Sequence, residues 1–144
     1  MMKIISHRGF WKSDSEKNTL IAFKRSFDHG FGIETDLRDF NGNIVVSHDI
    51  PGPTSLSIDN FFKLYSKYND LILALNIKSD GLQDLLNEKL IEYGISNYFV
   101  FDMSVPDLIN YSKKNITFFT RVSEFEKDLP MFEKSNGIWL DSSR

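Results

Sequence analysis

Short β-type runs alternate with amphipathic helical patterns along almost the whole chain, and this alternation is the feature that most constrains its fold. Seven runs are rich in Ile, Val, Phe and Leu and too short to be helices: residues 3–6, 32–36, 44–48, 71–77, 97–102, 116–121 and 137–141. Several of them are apolar throughout, as expected for strands that are covered on both faces of a parallel sheet. The pattern predicts an α/β fold.

The helical segments between these runs carry start and stop signals. One helix is predicted to begin at Ser57, and another at the N-cap Ser104 with Pro106 in its first turn. A capping box from Ser123 to Glu126 predicts one more helix, and Gly94 supplies a left-handed stop. The order of the elements predicts a single α/β domain over residues 1–144 with right-handed crossovers.

The length of the chain limits how far such a domain can close. A closed eight-stranded α/β barrel usually takes about 250 residues, whereas this chain has 144. We therefore expect a TIM-type (β/α) barrel that is incomplete at its C-terminus, or a smaller open relative. An open barrel exposes the edges of its first and last strands, so these edges predict a homo-oligomer.

Composition excludes several classes of site and partner. The absence of cysteine rules out disulfides and thiolate metal sites. The net charge of −3, with Lys and Arg scattered along the chain, argues against a nucleic-acid surface. The apolar runs are too short for a signal peptide or a membrane span. We expect a cytoplasmic protein.

Chemically active side chains follow the predicted strands where each strand ends. They are His7 with Arg8, Glu34 with Asp36, His48 with Asp49, Asn76 with Lys78, and later Asp102, Arg121 and Asp141. Ligands of parallel α/β folds bind at the carboxyl ends of strands, so these side chains predict one shared site. Arg121 and Asp141 either line that site or pair with each other as loop residues.

Glu34 and Asp36 are two residues apart on a predicted strand, so their carboxylates point to the same face. Two like charges at this separation repel each other unless a cation lies between them. Hard carboxylate oxygens favour Mg²⁺ or Ca²⁺ over zinc. The pair is therefore a candidate divalent-metal site, and a solvated loop edge is the alternative.

The link from Asp36 to Ile44 is too short for a helical crossover and predicts a hairpin. A two-residue loop at 41–42 would place Ser47 opposite Asp36 and turn His48 to the other face. A three-residue loop at 41–43 would instead place His48 opposite Asp36. The sequence leaves both registers open.

Four segments taken together resemble the glycerophosphodiester phosphodiesterase family. They are "HRG" after the first strand, "EKNTLIAF", "GIETDLRDFNGNIVVSHD" and "NIK". The family belongs to the phospholipase-C-like phosphodiesterases, which are built on an α/β barrel. The resemblance is strong over residues 5–49 and thinner over 50–144, where it depends on strand order and the position of "NIK".

The resemblance implies an enzyme that cleaves a small-molecule phosphodiester of the glycerophosphodiester type. His7 and His48 match the general acid and base of such cleavage, because imidazole exchanges protons near pH 7. Arg8 matches the group that clamps a phosphate oxygen, and Lys78 matches a lysine that stabilises the same charge.

The resemblance also implies a divalent cation, Mg²⁺ or Ca²⁺, at Glu34 and Asp36. Glu16 matches a family glutamate beside these residues, although Lys17 interrupts the usual Glu-Asn-Thr run. Asn76 stands where the family has a third carboxylate ligand, so the cation should bind more weakly, or only together with substrate phosphate.

Three hypotheses follow from this pattern. The first is a metal-assisted phosphodiesterase. The second is a catalytically impaired barrel that binds phosphorylated ligands or a partner chain, which Asn76 and the missing strands favour. The third is a fragment that folds only as an oligomer.

Overall fold

The computed structural model describes residues 2–123, 128 and 131–141, and in them strands and helices alternate as predicted. The strands are β1 (Ile5–His7), β2 (Gly32–Phe40), β3 (Asn43–Val46), β4 (Leu56–Ser57), β5 (Leu73–Ile77), β6 (Tyr98–Phe101), β7 (Phe119–Val122) and β8 (Gly137–Leu140). The α-helices are α1 (Leu20–Asp28), α2 (Ile58–Tyr65), α3 (Gln83–Glu92) and α4 (Val105–Lys113), and short 3₁₀ turns lie at Asp14–Glu16 and Phe132–Lys134.

Strand β2 is the centre of the sheet. One of its edges pairs in parallel with β5, which in turn pairs in parallel with β6. Its other edge pairs first with β1, in parallel, and then with β3, antiparallel. Strands β7 and β8 form a parallel pair that reaches β6 through a bridge between Val100 and Phe118. The predicted α/β class is confirmed, with the β2–β3 hairpin as its antiparallel part.

The hairpin takes the shorter of the two predicted loops. Phe40 pairs with Asn43, so only two residues connect the strands. These residues, Asn41 and Gly42, have φ of 49° and 77°, as a two-residue type I′ turn requires.

The short loop sets the register of the residues that follow. Ser47 lies opposite Asp36, and its amide donates to the Asp36 carbonyl at 3.0 Å. Strand β3 ends at Val46, two residues before the end of the strand predicted over 44–48. His48 therefore lies after β3 and not within it.

The ends of other elements also differ from prediction, for local reasons. Strand β2 continues to Phe40 instead of ending at Asp36, because its second half is one arm of the hairpin. Strand β4 is only two residues long, too short to show a periodic pattern.

Two of the predicted helix starts are confirmed. The hydroxyls of Ser57 and Ser104 each accept a backbone N–H from the first turn of their helix. The capping box predicted from Ser123 to Glu126 lies mostly outside the described residues.

Two clusters of apolar side chains lie on the sheet. The larger one packs the helices against it and includes Phe23, Phe61, Tyr65 and Tyr111. A smaller, aromatic cluster is formed by Ala74, Phe99 and Phe101 together with Trp139. Phe101 and Trp139 of this smaller cluster also line the cavity at the strand ends.

Closure of the predicted barrel is not seen in the described part of the chain. There, β1 has a pairing partner only in β2, and β8 has one only in β7. The six-stranded sheet and the β7–β8 pair therefore form an open arrangement. None of the described helices is both long enough and apolar enough to cross a membrane.

Candidate active site

The carboxyl ends of the parallel strands surround a cavity of about 360 Å³. Its lining contains every predicted site residue except Glu16, His48 and Asp49: His7, Arg8, Glu34, Asp36, Asn76, Lys78, Asp102, Arg121 and Asp141. Phe101 and Trp139 complete it. Six different strands thus contribute to one wall, as expected when parallel strands end at the same edge.

The turn after β1 explains why glycine follows His7 and Arg8. Arg8 and Gly9 both have positive φ, 58° and 87°, which turns the chain sharply at the strand end. A Cβ at Gly9 would lie 2.8 Å from the Cβ of Ala22 on α1, so only glycine fits without movement. The close approach of this turn to α1 directs Arg8 into the cavity.

Asp36 is 2% exposed and is held by one amide and two cations. The amide of Asn18 donates to its Oδ2 at 3.0 Å, the Arg8 guanidinium Nε lies 3.5 Å away, and Lys78 Nζ lies 3.9 Å away. Asn18 also accepts a hydrogen bond from Thr35 at 2.7 Å, which holds its amide in place. Sequence reasoning missed Asn18, although it lies inside the motif that carries the resemblance.

Glu34 has different surroundings. Burial, reinforced by the negative charge of Asp36, raises the pKa of Glu34 to about 8. Its Oε2 lies 3.2 Å from Nε2 of His7, while its buried Oε1 has no hydrogen-bond partner. Desolvation, and then the charge of Arg8, lower the pKa of His7 below 6.5. Both shifts favour the uncharged forms of the two side chains at this contact.

Asp102 connects the later strands to the site. It accepts a hydrogen bond from Asn76 at 3.2 Å and lies 3.7 Å from Lys78 and 2.5 Å from Arg121. Arg121 also pairs with Asp141 at 3.0 Å. Asp102 has a φ of 71°, a conformation that is uncommon outside glycine. The sequence places it at the end of a predicted strand but assigns it no role of its own.

His48 lies beside a second cavity of about 790 Å³, which shares Arg8 with the first. Its Nδ1 is 3.1 Å from Asp49, and its carbonyl accepts two hydrogen bonds from Arg38. The charge of His48 is among the influences that lower the pKa of His7, so the two imidazoles are electrostatically coupled. Arg8 therefore lines one cavity together with His7 and the other together with His48.

Glu16 lies outside both cavities. Its carboxylate accepts hydrogen bonds from Arg25 at 2.7 Å and from the Lys12 backbone amide at 2.9 Å. Lys17, the residue that interrupts the family pattern, pairs with Asp14 at 3.0 Å. Glu16 is thus engaged in an ion pair with Arg25.

The oxygen ligands predicted for a cation are the carboxylates of Glu34 and Asp36 and the amide of Asn76, and all three line the cavity. Among the described residues, no three His, Asp or Glu side chains are grouped to enclose a metal ion. However, Glu34 Oε1 and Asn76 Oδ1 are both buried acceptors without a hydrogen-bond partner. Asn76 is the register partner of Asp36, so the amide lies on the same face as the carboxylates. These donors fit a hard cation that keeps several of its waters.

Similarity to known proteins was found by comparing structures and not by comparing sequences. No family model and no curated protein matches the sequence. A glycerophosphodiester phosphodiesterase from Parabacteroides distasonis superposes with a TM-score of 0.72 at 18% identity, over 96% of this chain and 72% of that one. The chain shares its fold with this protein. An Agrobacterium tumefaciens enzyme of the same name gives a TM-score of 0.70 at 16% identity, over 97% of this chain and 76% of that one.

This similarity confirms the sequence resemblance at the level of the fold. It extends over nearly the whole chain, including residues 50–144, where the motif evidence was thin. At 16–18% identity, it does not extend to the chemistry of the individual side chains.

Proposed function

We propose that the chain hydrolyses a small-molecule phosphodiester of the glycerophosphodiester type. The observation that carries this proposal is that Arg8 lines both cavities, one of them together with His7 and the other together with His48. An anion bound at Arg8 would be within reach of two imidazoles. That is the arrangement required for transferring one proton to and another from a phosphodiester.

Arg8 and Lys78 would bind the phosphate. Both lie beside Asp36, but at 3.5 and 3.9 Å, which is longer than an ordinary hydrogen bond. Their N–H groups therefore remain available to phosphate oxygens. The larger cavity beside His48 has room for one of the two alcohol groups of the diester.

The two histidines are suited to different steps. Burial and the charge of Arg8 lower the pKa of His7 and favour its neutral form, which can accept a proton from the attacking water as the water oxygen bonds to phosphorus. His48, beside the carboxylate of Asp49, can donate a proton to the leaving alcohol oxygen as the P–O bond breaks. One proton enters His7 and one leaves His48, so solvent returns both imidazoles to their starting states.

Glu34, Asp36 and Asn76 would hold the divalent cation, Mg²⁺ or Ca²⁺. When bound, such an ion offsets the charge that builds up on the phosphoryl oxygens. A cation beside Glu34 would also displace the proton that burial retains on this carboxyl.

Hydrolysis of bis(p-nitrophenyl) phosphate and of glycerophosphocholine, each with Mg²⁺ or Ca²⁺, tests the proposal. We expect metal-dependent turnover that falls about 10²–10⁴-fold in both His7→Ala and His48→Ala. His29→Ala is the matched control, because the only other histidine of the chain ends α1 and lines neither cavity. Equal activity in all four proteins would contradict the assignment of the two histidines.

The second candidate function is a barrel that binds phosphorylated ligands or a partner chain without turnover. The observation that favours it is the neutral side chain of Asn76, whose amide is engaged by Asp102. Under this hypothesis, glycerol 3-phosphate raises the melting temperature while the wild type hydrolyses neither substrate. Activity that appears only in Asn76→Glu would show that one missing carboxylate disables the site.

A further inference from the structure

The side-chain amide of Asn76 has an NH₂ group and a carbonyl oxygen, and the two have different surroundings in the structure. Its Nδ2 donates to Asp102 Oδ2 at 3.2 Å, while its Oδ1 is buried without a hydrogen-bond partner. An ionised carboxylate only accepts hydrogen bonds. Asp102 therefore selects the rotamer in which the NH₂ group faces β6 and the carbonyl oxygen faces the opposite way.

Asp102 is itself held in the orientation that this selection needs. Its other carboxylate oxygen, Oδ1, is bound by Arg121 at 2.5 Å, and Lys78 Nζ lies 3.7 Å from Oδ2. Both cations compensate the negative charge of Asp102, and because Arg121 binds Oδ1, Oδ2 accepts the Asn76 amide. The hydrogen-bonding direction of the carboxylate is thereby fixed.

The free oxygen of Asn76 belongs to a pair of unsatisfied acceptors. Asn76 and Glu34 are 8% and 4% exposed, and each has one oxygen without a hydrogen-bond partner. Leaving a buried acceptor unsatisfied typically costs about 1–3 kcal/mol. Two such oxygens on one wall of a cavity, beside the carboxylate of Asp36, are explained by a cation that they would share.

We propose that Asp102 is a positioning residue that orients the Asn76 carbonyl oxygen as a neutral ligand for the divalent cation. This inference depends on the cation site of the proposed function. The chain thereby compensates for the missing carboxylate at position 76 with a carboxylate one strand away, at the end of β6. Asp102 does not contact the cation, and its effect is transmitted through the amide.

The test compares the affinities of the whole chain for Mg²⁺ and Ca²⁺, measured by calorimetry without substrate. Asp102→Asn introduces a side chain that can donate as well as accept, so the Asn76 amide is free to turn its NH₂ group toward the cation. We expect a loss of affinity of at least tenfold. Asp141→Asn is the matched control, since it also removes one negative charge and one partner of Arg121 from the same cavity. Its expected loss is less than threefold.

A charge-conserving exchange separates orientation from mere stability. The double variant combines Asn76→Asp with Asp102→Asn, so that the two side chains trade places. The amide introduced at position 102 then donates to the carboxylate introduced at position 76, and the second oxygen of that carboxylate replaces the free amide oxygen. We expect affinity at or above the wild-type level, with cooperative unfolding in every variant. A structural role for Asp102 does not predict this rescue.

Three results would overturn the proposal. Equal losses in Asp102→Asn and Asp141→Asn would mean that Asp102 acts by charge alone. A double variant as weak as Asp102→Asn would mean that the direction of the amide is irrelevant. A wild type that binds neither ion would remove the site, and the hydrolysis assay repeated in EDTA would then show separately whether the proposed function survives.

Discussion

At the scale of single residues, Gly9 illustrates how a backbone requirement can be read from a motif. It combines a φ of 87° with a position where a Cβ would meet Ala22 at 2.8 Å. We expect Gly9→Ala to lower the free energy of unfolding by more than about 2 kcal/mol, because conformational strain of about 1–2 kcal/mol adds to the steric clash. Denaturant unfolding measures the change.

Gly42→Ala is the matched control for this variant. Gly42 also has a positive φ, 77°, but nothing lies within 4 Å of the Cβ position. It should lose only the conformational part, about 1–2 kcal/mol. Equal losses in the two variants would contradict the packing argument.

The raised pKa of Glu34 makes stability depend on pH in a defined direction. Its native pKa of about 8 exceeds the ordinary value of 4.5, so the native state binds the proton more tightly than the unfolded state. The resulting stabilisation is complete below about pH 4.5 and is lost as pH rises toward 8. In EDTA, Glu34→Gln should gain stability relative to wild type between about pH 5 and 8, by an amount of the order of a few kcal/mol.

Thermal unfolding at several pH values measures this difference. Adding Mg²⁺ or Ca²⁺ near pH 8 should stabilise the wild type more than Glu34→Gln, since an ionised Glu34 is a cation ligand and a neutral amide carries no charge. A difference that does not change with pH would show that Glu34 is already ionised at neutral pH in the native state.

At the scale of elements, helix α2 depends on a cap that the sequence predicts. The Ser57 hydroxyl accepts the Asn60 amide N–H at 3.1 Å, which satisfies one backbone donor of the first turn. We expect Ser57→Ala to lower the free energy of unfolding by about 1 kcal/mol, measured by denaturant unfolding. Ser112→Ala, near the end of α4, should leave it unchanged, because the Ser112 hydroxyl only donates to a carbonyl of its own helix.

The loop residues of the β2–β3 hairpin determine where the predicted catalytic residue His48 lies. Asn-Gly is the preferred pair for a two-residue type I′ turn. That turn pairs Ser47 with Asp36 and places His48 beyond β3, at the second cavity. A loop one residue longer would have paired His48 with Asp36 directly.

At the scale of the whole molecule, β8 is the most exposed apolar strand of the described residues. Leu140 is 78% exposed and Ile138 is 40% exposed. An unpaired, apolar strand edge invites pairing with another chain. We expect light scattering to show concentration-dependent association, which Leu140→Lys should weaken by roughly tenfold or more.

Ile91→Lys is the control for this experiment. Ile91 is similarly exposed, at 72%, but lies on helix α3, away from any strand edge. Its association should match the wild type. A monomer at all concentrations would contradict the predicted homo-oligomer and leave the enzyme hypothesis untouched.

The sequence by itself determined the α/β class, most helices and strands, and the set of polar residues at strand ends. These features follow from periodicity and capping, which act over a few neighbouring residues. Within 5–49, the motif residues also named four members of the cavity lining in advance: His7, Arg8, Glu34 and Asp36. Local patterns suffice there because parallel strands bring their carboxyl ends to one edge.

Only the tertiary structure decided which of those side chains meet. It brought Asp102 to Asn76, and it separated His48, Asp49 and Glu16 from the cavity that the other predicted residues share. The contact between Asp102 and Asn76 spans 26 positions of the sequence, and no local pattern encodes it.

The tertiary structure also sets the pKa of Glu34. Glu34 and Asp36 carry the same functional group two residues apart, so the sequence alone gives no reason to separate them. Burial raises the pKa of Glu34, whereas Asn18, Arg8 and Lys78 converge on Asp36 from three other segments of the chain. The surroundings of the two carboxyls differ because only the folded chain brings the amide and the two cations to Asp36.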